Sequence, residues 1–323
     1  MQKIIATSLL LFCLGLFKSQ AQSLKSGDLQ TITTAVPFLT ITPDARAGGM
    51  GDVGVATSPD ANATFWNPAK LAFIKTDMGV AISYNPWLRK LVNDMSLSYI
   101  SAYKKLRKED AIAINFEYFN LGQVTFTDNA GGVIRDFQPN EFAIGTDYSR
   151  MLSKHFSLGL GLKFFRSDLA GNYQNSTTGQ ISKSINSVAA DIGAYYTKDM
   201  LVKGKNSNLG LGLCISNIGP KVTYTTVDQK DFIPTNLRLG GTYTIEADQF
   251  NKFSASFDAN KLLVPSMPWD STGKNPKDMG IAQGMMSSFV DSPGGFKGEL
   301  NEIILCMGAE YWYTDIFAVR GGY

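Results

Sequence analysis

The sequence predicts an all-β chain, a transmembrane antiparallel β-barrel preceded by a folded N-terminal segment. Three observations predict it. Apolar residues alternate with small or polar ones over runs of about 9 to 11 residues, the connections between runs alternate between short and long, and the N-terminus carries an export signal.

The signal comes first in the chain. Lys3 places positive charge ahead of the apolar stretch Ile4 to Phe17, and Ser19-Gln20-Ala21 offers small residues for cleavage. Residues 1–21 are therefore expected to be a signal peptide, and Gln22 the first mature residue. The stretch is shorter than the roughly 20 apolar residues of a membrane-spanning helix, and no later segment stays apolar for that length. Cys13 follows Leu11-Phe12, where a lipidation site would place a small residue, which argues against an anchor there.

Composition excludes several classes of function. Only Cys214 and Cys306 remain after the signal, and His155 is the single histidine, so neither a disulfide framework nor a Cys/His zinc site is expected, and no cofactor. A formal net charge of +2, with 18% charged residues, gives no electrostatic footprint for nucleic acid. The joint abundance of glycine (31) with Phe (20) and Tyr (13) is what barrels need, since only one face of each strand meets lipid.

The strands follow in order. From Asp77, Met78, Val80, Ile82 and Tyr84 point one way and Gly79, Ala81, Ser83 and Asn85 the other, until Pro86-Trp87 ends the run. The pattern recurs with Ile112, Ile114, Phe116 and Tyr118 against Ala111, Ala113, Asn115 and Glu117. It recurs again with Phe156, Leu158, Leu160, Leu162 and Phe164 against Ser157, Gly159, Gly161 and Lys163. Further runs fall near 95–103, 141–150, 187–197, 208–217, 236–246, 252–262, 302–313 and 316–323, giving about eleven strands over a barrel region 76–323. Tyr84, Trp87, Tyr103, Tyr118, Tyr148, Tyr196, Trp312 and Tyr313 sit at strand ends, where interfacial aromatic girdles lie.

Short, charged connections are expected at Lys104 to Asp110, Met151 to His155, Lys198 to Ser207, Glu246 to Asn251 and Tyr313 to Asp315. Long ones are expected at 120–140, 167–186, 218–235 and 263–301. In outer-membrane barrels short turns face the periplasm and long loops the outside. The strand pattern is still running at Tyr323, and an odd number of strands would leave an edge unpaired in lipid, so the C-terminal strands are expected to be missing from this chain.

Ala35 to Lys75 does not alternate and cannot be a membrane strand: it holds Pro37, Pro43, Pro59 and Pro68 and a cluster of glycines. No strand precedes its glycines and no βαβ unit follows, so a dinucleotide loop is a poor reading. A hatch or plug within residues 22–75 fits better, because small residues let a folded segment pack closely inside a lumen. Its candidate motif residues are Gly48, Gly49, Gly51, Asp52, Asp60, Asn67, Pro68 and Ala69, with Asn67-Pro68-Ala69 read as a turn into a short helix with proline at its first position.

These residues carry a resemblance. The small-residue string Ala45 to Ala56, followed by Asp60-Ala61 and Asn67-Pro68-Ala69, resembles the N-terminal region of the FadL-like outer-membrane proteins. Within that group, residues 36–60 with Ser83 to Arg89 are similar to the outer-membrane component of the type IX protein secretion system. The resemblance implies a barrel of about fourteen strands with an inward-folded hatch. It also implies a non-enzymatic carrier that receives cargo bearing a conserved C-terminal signal domain from the large translocon barrel and delivers it to a cell-surface attachment complex. The fold alone leaves open a FadL-type transporter of long-chain fatty acids or other hydrophobic small molecules.

Asp258, Asn260, Asp147, Asp191 and Glu117 are expected on the lumen face, where polar residues are ordinary, and His155 lies in a short turn away from any nucleophile, so no catalytic site is expected. The long loop Val264 to Asn301 gathers adaptable apolar residues, among them Met267, Trp269, Met279, Met285, Met286 and Phe289. Methionines suit a surface that fits varied partners, which makes this loop the candidate docking surface for translocon or cargo.

Overall fold

The computed structural model describes residues 32–323 apart from 91, 129, 172, 175–178, 180, 226–229, 267–277 and 293. The expected signal peptide, Met267 and Trp269 lie outside the described residues.

Eleven long strands form one antiparallel sheet: β1 (Met78–Pro86), β2 (Ser96–Lys105), β3 (Asp110–Asn120), β6 (Asn140–Met151), β7 (Phe156–Asp168), β10 (Ile185–Val202), β11 (Lys205–Ile218), β12 (Asn236–Glu246), β13 (Asn251–Leu262), β14 (Ile304–Tyr313) and β15 (Phe317–Gly322). Each pairs with the next in the chain, and β1 and β15 occupy the two edges of the sheet. Two hairpins rise from the long connections, β4 (Val124–Thr127) with β5 (Val133–Phe137), and β8 (Tyr173–Gln174) with β9 (Ile181–Ser182). The eleven strands match the alternating runs in the sequence.

One face of the sheet is apolar and open. Met78, Val80, Ile82 and Tyr84 of β1 are each more than 60% exposed, and the outward residues of β3 and β7 continue the surface. The other face is buried, and it carries Glu117, Asp147, Asp191 and Asp258. An apolar face exposed over eleven strands is costly in water and suited to lipid. Among the described residues no helix is long and apolar enough to cross a membrane.

Connections separate by end. Residues 106–109, 152–155, 203–204, 247–250 and 314–316 make short turns at one end; 87–95, 121–139, 169–184, 219–235 and 263–303 make long ones at the other. The strands around 203–204 run further than their apolar pattern: Lys198 to Val202 and Lys205 to Ser207, expected as a turn, are paired strand. Strand pairing beyond the membrane is free of the one-face rule, and charged residues with the consecutive Met200, Leu201 and Val202 replace the alternation there. Lys203 (φ 50°) and Gly204 (φ 76°) then close a two-residue hairpin whose positive φ angles match the twist of the strands.

Three aromatic residues expected in interfacial girdles sit elsewhere. Tyr103 is buried on the inner face and its hydroxyl hydrogen-bonds Thr76 Oγ1. Trp312 shares the inner register with Glu310 and lies under the Arg320 guanidinium, 5.2 Å from its centre. Trp87 packs against the buried apolar cluster at the long-loop end. Each finds a polar or apolar partner inside that strand-end position alone does not reveal. The long connection 263–303 contains, among the described residues, two short helices, Ile281–Ser287 and Gly295–Asn301.

Candidate functional site

Residues 32–77 fold against the inner face and contain no strand of the sheet. They enter at the long-loop end, where the Ala35 amide donates to the Phe232 carbonyl (2.9 Å) and Val36, Phe38 and Leu39 pack with Leu97, Phe119, Phe165 and Ile233. They leave at the short-turn end, where Lys105 Nζ donates to the Ile74 carbonyl (2.8 Å). In between, the segment touches strands from β1 to β15, so the sheet curls around it.

The string 44–57 is held by charge. Asp44 caps the one-turn helix Ala45–Gly48, its Oδ1 accepting from the Ala47 amide (2.9 Å), while Oδ2 accepts from Trp66 Nε1 (2.8 Å). Arg46 projects from that turn between Asp60 Oδ2 (2.7 Å) and Glu310 Oε1 on β14 (2.9 Å), with Ser58 Oγ at 2.6 Å. Arg320 on β15 closes on the same Glu310 carboxylate at 2.6 Å. Further on, Asp258 Oδ2 accepts both the Gly54 amide (2.7 Å) and the Val55 amide (2.9 Å), two donors that would otherwise be buried without a partner.

The Asn67-Pro68-Ala69 element makes the second latch. Asn67, fully buried, caps the 3-10 helix Pro68–Phe73 by accepting from the Ala69 amide (3.1 Å), with proline at the first helical position. Its Nδ2 donates to Val55 O (3.1 Å) within the segment and to Ala194 O on β10 (3.0 Å). The Ala69 carbonyl accepts from Ser149 Oγ on β6 (2.9 Å) and Ser157 Oγ on β7 (2.7 Å). Lys70 runs back, donating to Gly54 O (2.7 Å) and Thr57 Oγ1 (3.0 Å); burial pushes its ammonium down to about 8, with Asp60 and Asp258 opposing the shift.

The wall is thinned to admit this segment. A side chain at Gly159 would place its Cβ 2.3 Å from the Ala69 nitrogen, one at Gly193 would lie 2.2 Å from Asn67 Oδ1, and one at Gly212 2.2 Å from the Val55 carbonyl oxygen. The motif glycines themselves differ. Gly51 has φ +68° and lies against the Tyr323 backbone, whereas Gly48 faces open space and Gly49 meets only its own helical turn and Arg320. Asp52 is exposed, in a left-handed conformation (φ 62°). Asp60 belongs to the Arg46 pair and also accepts from the Asn62 amide (3.0 Å). The residues that sequence reasoning passed over are Arg46, Lys70 and Glu310. Each is a lone charge among small or apolar neighbours, and that isolation is the signal that marks them.

At the long-loop end, the helix Ile281–Ser287 rests on Phe232 through Gly284, and the Met279 carbonyl accepts from Lys221 Nζ (2.8 Å). Met285 is half-buried; Met286, Phe289 and Val290 are exposed. Among the described residues, no group of three or more His, Cys, Asp or Glu is placed to hold a metal ion.

Long antiparallel strands with an apolar exterior, curled around an N-terminal segment that is latched to the buried face, define an outer-membrane β-barrel. Residues 24–269 match the family described as Type IX secretion system protein PorV, and the chain belongs to that family. It is therefore an outer-membrane component of the type IX secretion system, in a family of secretion components and not of enzymes.

Among solved structures the chain is similar to LpxR from Salmonella typhimurium, at 9% identity and a TM-score of 0.37, over 73% of this chain and 88% of that one. It is similar also to a Pseudomonas aeruginosa FadL homologue, at 11% identity and a TM-score of 0.39, over 87% of this chain and 79% of that one. Likeness at that level carries no argument about function. No curated protein sequence matches the chain.

Proposed function

We propose that the protein is a carrier in type IX secretion. It binds secreted cargo through the cargo's C-terminal signal domain at the large translocon barrel and passes it to the cell-surface attachment complex. The observation that carries this reading is a buried face occupied by the N-terminal segment beneath a rim of long connections. The segment 32–77 acts as a plug, because its polar groups are spent on the wall from β2 to β14 and not on a route through it. The long connections collect at one end, which faces outside, and the short turns face the periplasm.

On that rim the 263–303 connection presents Met286, Phe289 and Val290 to solvent, with Met279 and Met285 half-buried behind them. Flexible thioethers beside an aromatic ring suit a surface that accepts many cargo proteins sharing one signal domain. Met267 and Trp269 precede them in the same connection. The test is co-purification from native membranes of a Met286→Asp/Phe289→Asp double variant. Loss of the translocon barrel or of cargo, with the barrel still inserted, is the expected result; unchanged co-purification counts against the docking role. A fatty-acid uptake defect with normal secretion would instead favour a transporter.

A further inference from the structure

Lys261 is in the wrong place for a lipid-facing lysine. On β13 the residues Phe253, Phe257 and Ala259 point outward while Asp258 is buried inside, and Lys261 continues the outward register, paired with Leu237 of β12. Yet its side chain is only 7% exposed. It is covered by two carboxylates from the following connection, Glu299 Oε2 at 2.8 Å and Glu302 Oε2 at 2.6 Å.

That cover places the Gly295–Asn301 helix on the outer side of the wall, above the lipid-facing surface, and not over the mouth of the barrel. The other oxygens of the two carboxylates are engaged as well: Glu299 Oε1 accepts from the Ser292 amide (2.7 Å) and Glu302 Oε1 from Ser266 Oγ (2.6 Å). Phe296 and Leu300, four residues apart and so on one helical face, are left unpartnered at 80% and 51% exposed. Below them β14 presents Leu305 and Met307 in its outward register, both exposed. Exposed apolar residues thus stand on the outward face of β14 and on the helix just before it in the chain, on either side of the Lys261 ion pairs.

We propose that the Gly295–Asn301 helix lies in the membrane interface, with Phe296 and Leu300 in the acyl region of the leaflet at the long-loop end. The occupant of this face is lipid because the face adjoins the apolar exterior of an outer-membrane barrel. Lys297, exposed beside Phe296, stands where a lipid phosphate would meet it. The seat anchors the end of the connection that also carries Met286 and Phe289, and it stands whether or not those residues dock cargo.

The test uses the full chain refolded into dioleoylphosphatidylcholine vesicles, with Phe296→Trp adding one indole to the four of the parent. The added emission, taken as the difference from the parent, should be blue-shifted and fall about twofold when brominated phosphatidylcholine replaces the plain lipid, while aqueous acrylamide leaves it nearly unchanged. Quenching by acrylamide and not by bromolipid overturns the proposal. So does an indole that is shielded from acrylamide only when the translocon is co-reconstituted, since the face would then be a protein contact. Leu300→Trp repeats the measurement if Phe296→Trp does not insert.

Discussion

Arg46 and Glu310 are 264 positions apart in the chain and 2.9 Å apart in space, and the pair ties the N-terminal segment to the far side of the sheet. The carboxylate is almost wholly buried, and Arg320 reaches it from β15 at 2.6 Å. One acid thus holds two guanidinium groups, one from the segment and one from the wall. This asymmetry sets the outcome of breaking it.

Glu310→Ala removes the partner of both arginines at once, although Arg46 keeps Asp60. Arg46→Met leaves Glu310 still paired with Arg320. Glu310→Ala should therefore be the more damaging change, costing about 3 kcal/mol, the lower end for breaking a buried pair, because both arginine side chains are partly exposed. Guanidinium unfolding of the two refolded variants, followed by intrinsic fluorescence, checks the order. Arg46→Met also removes the contacts to Asp60 and Ser58, so equal midpoints would mean that these are worth as much as the Arg320 pair.

Asp258 satisfies two backbone donors with one oxygen. In Asp258→Ala the Gly54 and Val55 amides lose their acceptor, so their hydrogen exchange should accelerate at least about tenfold, the equivalent of roughly 1.4 kcal/mol. Asp258→Asn keeps an acceptor oxygen and should fall between. Exchange measured by mass spectrometry on peptides spanning 50–58 separates the three proteins.

The strands were legible because lipid on one side and a packed interior on the other force a strict two-residue period, as in Leu158 to Phe164. Where that double constraint lapses, so does the signal: Lys198 to Val202 and Lys205 to Ser207 pair as strand although Met200, Leu201 and Val202 run consecutively and break the alternation. Residues 35–75 were legible as a non-strand segment, and Asn67-Pro68 as a capped turn, because proline and an Asx cap act locally. The latch was not. Arg46 with Glu310, or Asp258 with Gly54, are contacts between residues more than 200 positions apart, and local chemistry carries no record of which luminal acid meets which residue. Nor could Lys261 be foreseen as the marker of a helix on the outer wall, since its partners Glu299 and Glu302 lie beyond an intervening loop.

Lys70 gives the segment a pH dependence. Its pKa in the folded protein is pushed down to about 8 by burial, below the unfolded value of about 10.4, so the unfolded chain binds more protons between those two values. Stability contributed by this group therefore rises as pH goes up through that window, and is lowest below pH 8, where folding must bury the ammonium. From pH 7.5 to 9.5 the gain is about 1–2 kcal/mol. Lys70→Met should abolish that slope. Unfolding midpoints of both proteins at the two pH values decide it, and a parallel slope in the variant assigns the dependence to another group.

Two glycine-to-alanine changes should have opposite signs. Gly159 lies on β7 where the wall meets the segment: an added methyl would sit 2.3 Å from the Ala69 nitrogen and 2.5 Å from the Pro68 carbonyl carbon, both backbone atoms already tied by Asn67, Ser149 and Ser157. Neither side can yield without breaking a latch, so Gly159→Ala should cost about 1–3 kcal/mol and expose the Pro68–Phe73 helix to protease. Gly48 closes a helical turn with nothing within 4 Å of its missing Cβ and no positive φ, so alanine there restricts only the unfolded chain. Gly48→Ala should stabilise by about 0.5–1 kcal/mol. The two glycines look alike in the sequence, yet only Gly159 lies in the contact between wall and segment. If Gly48→Ala is as damaging as Gly159→Ala, the segment at Gly48 is packed against something that the wall strands do not supply.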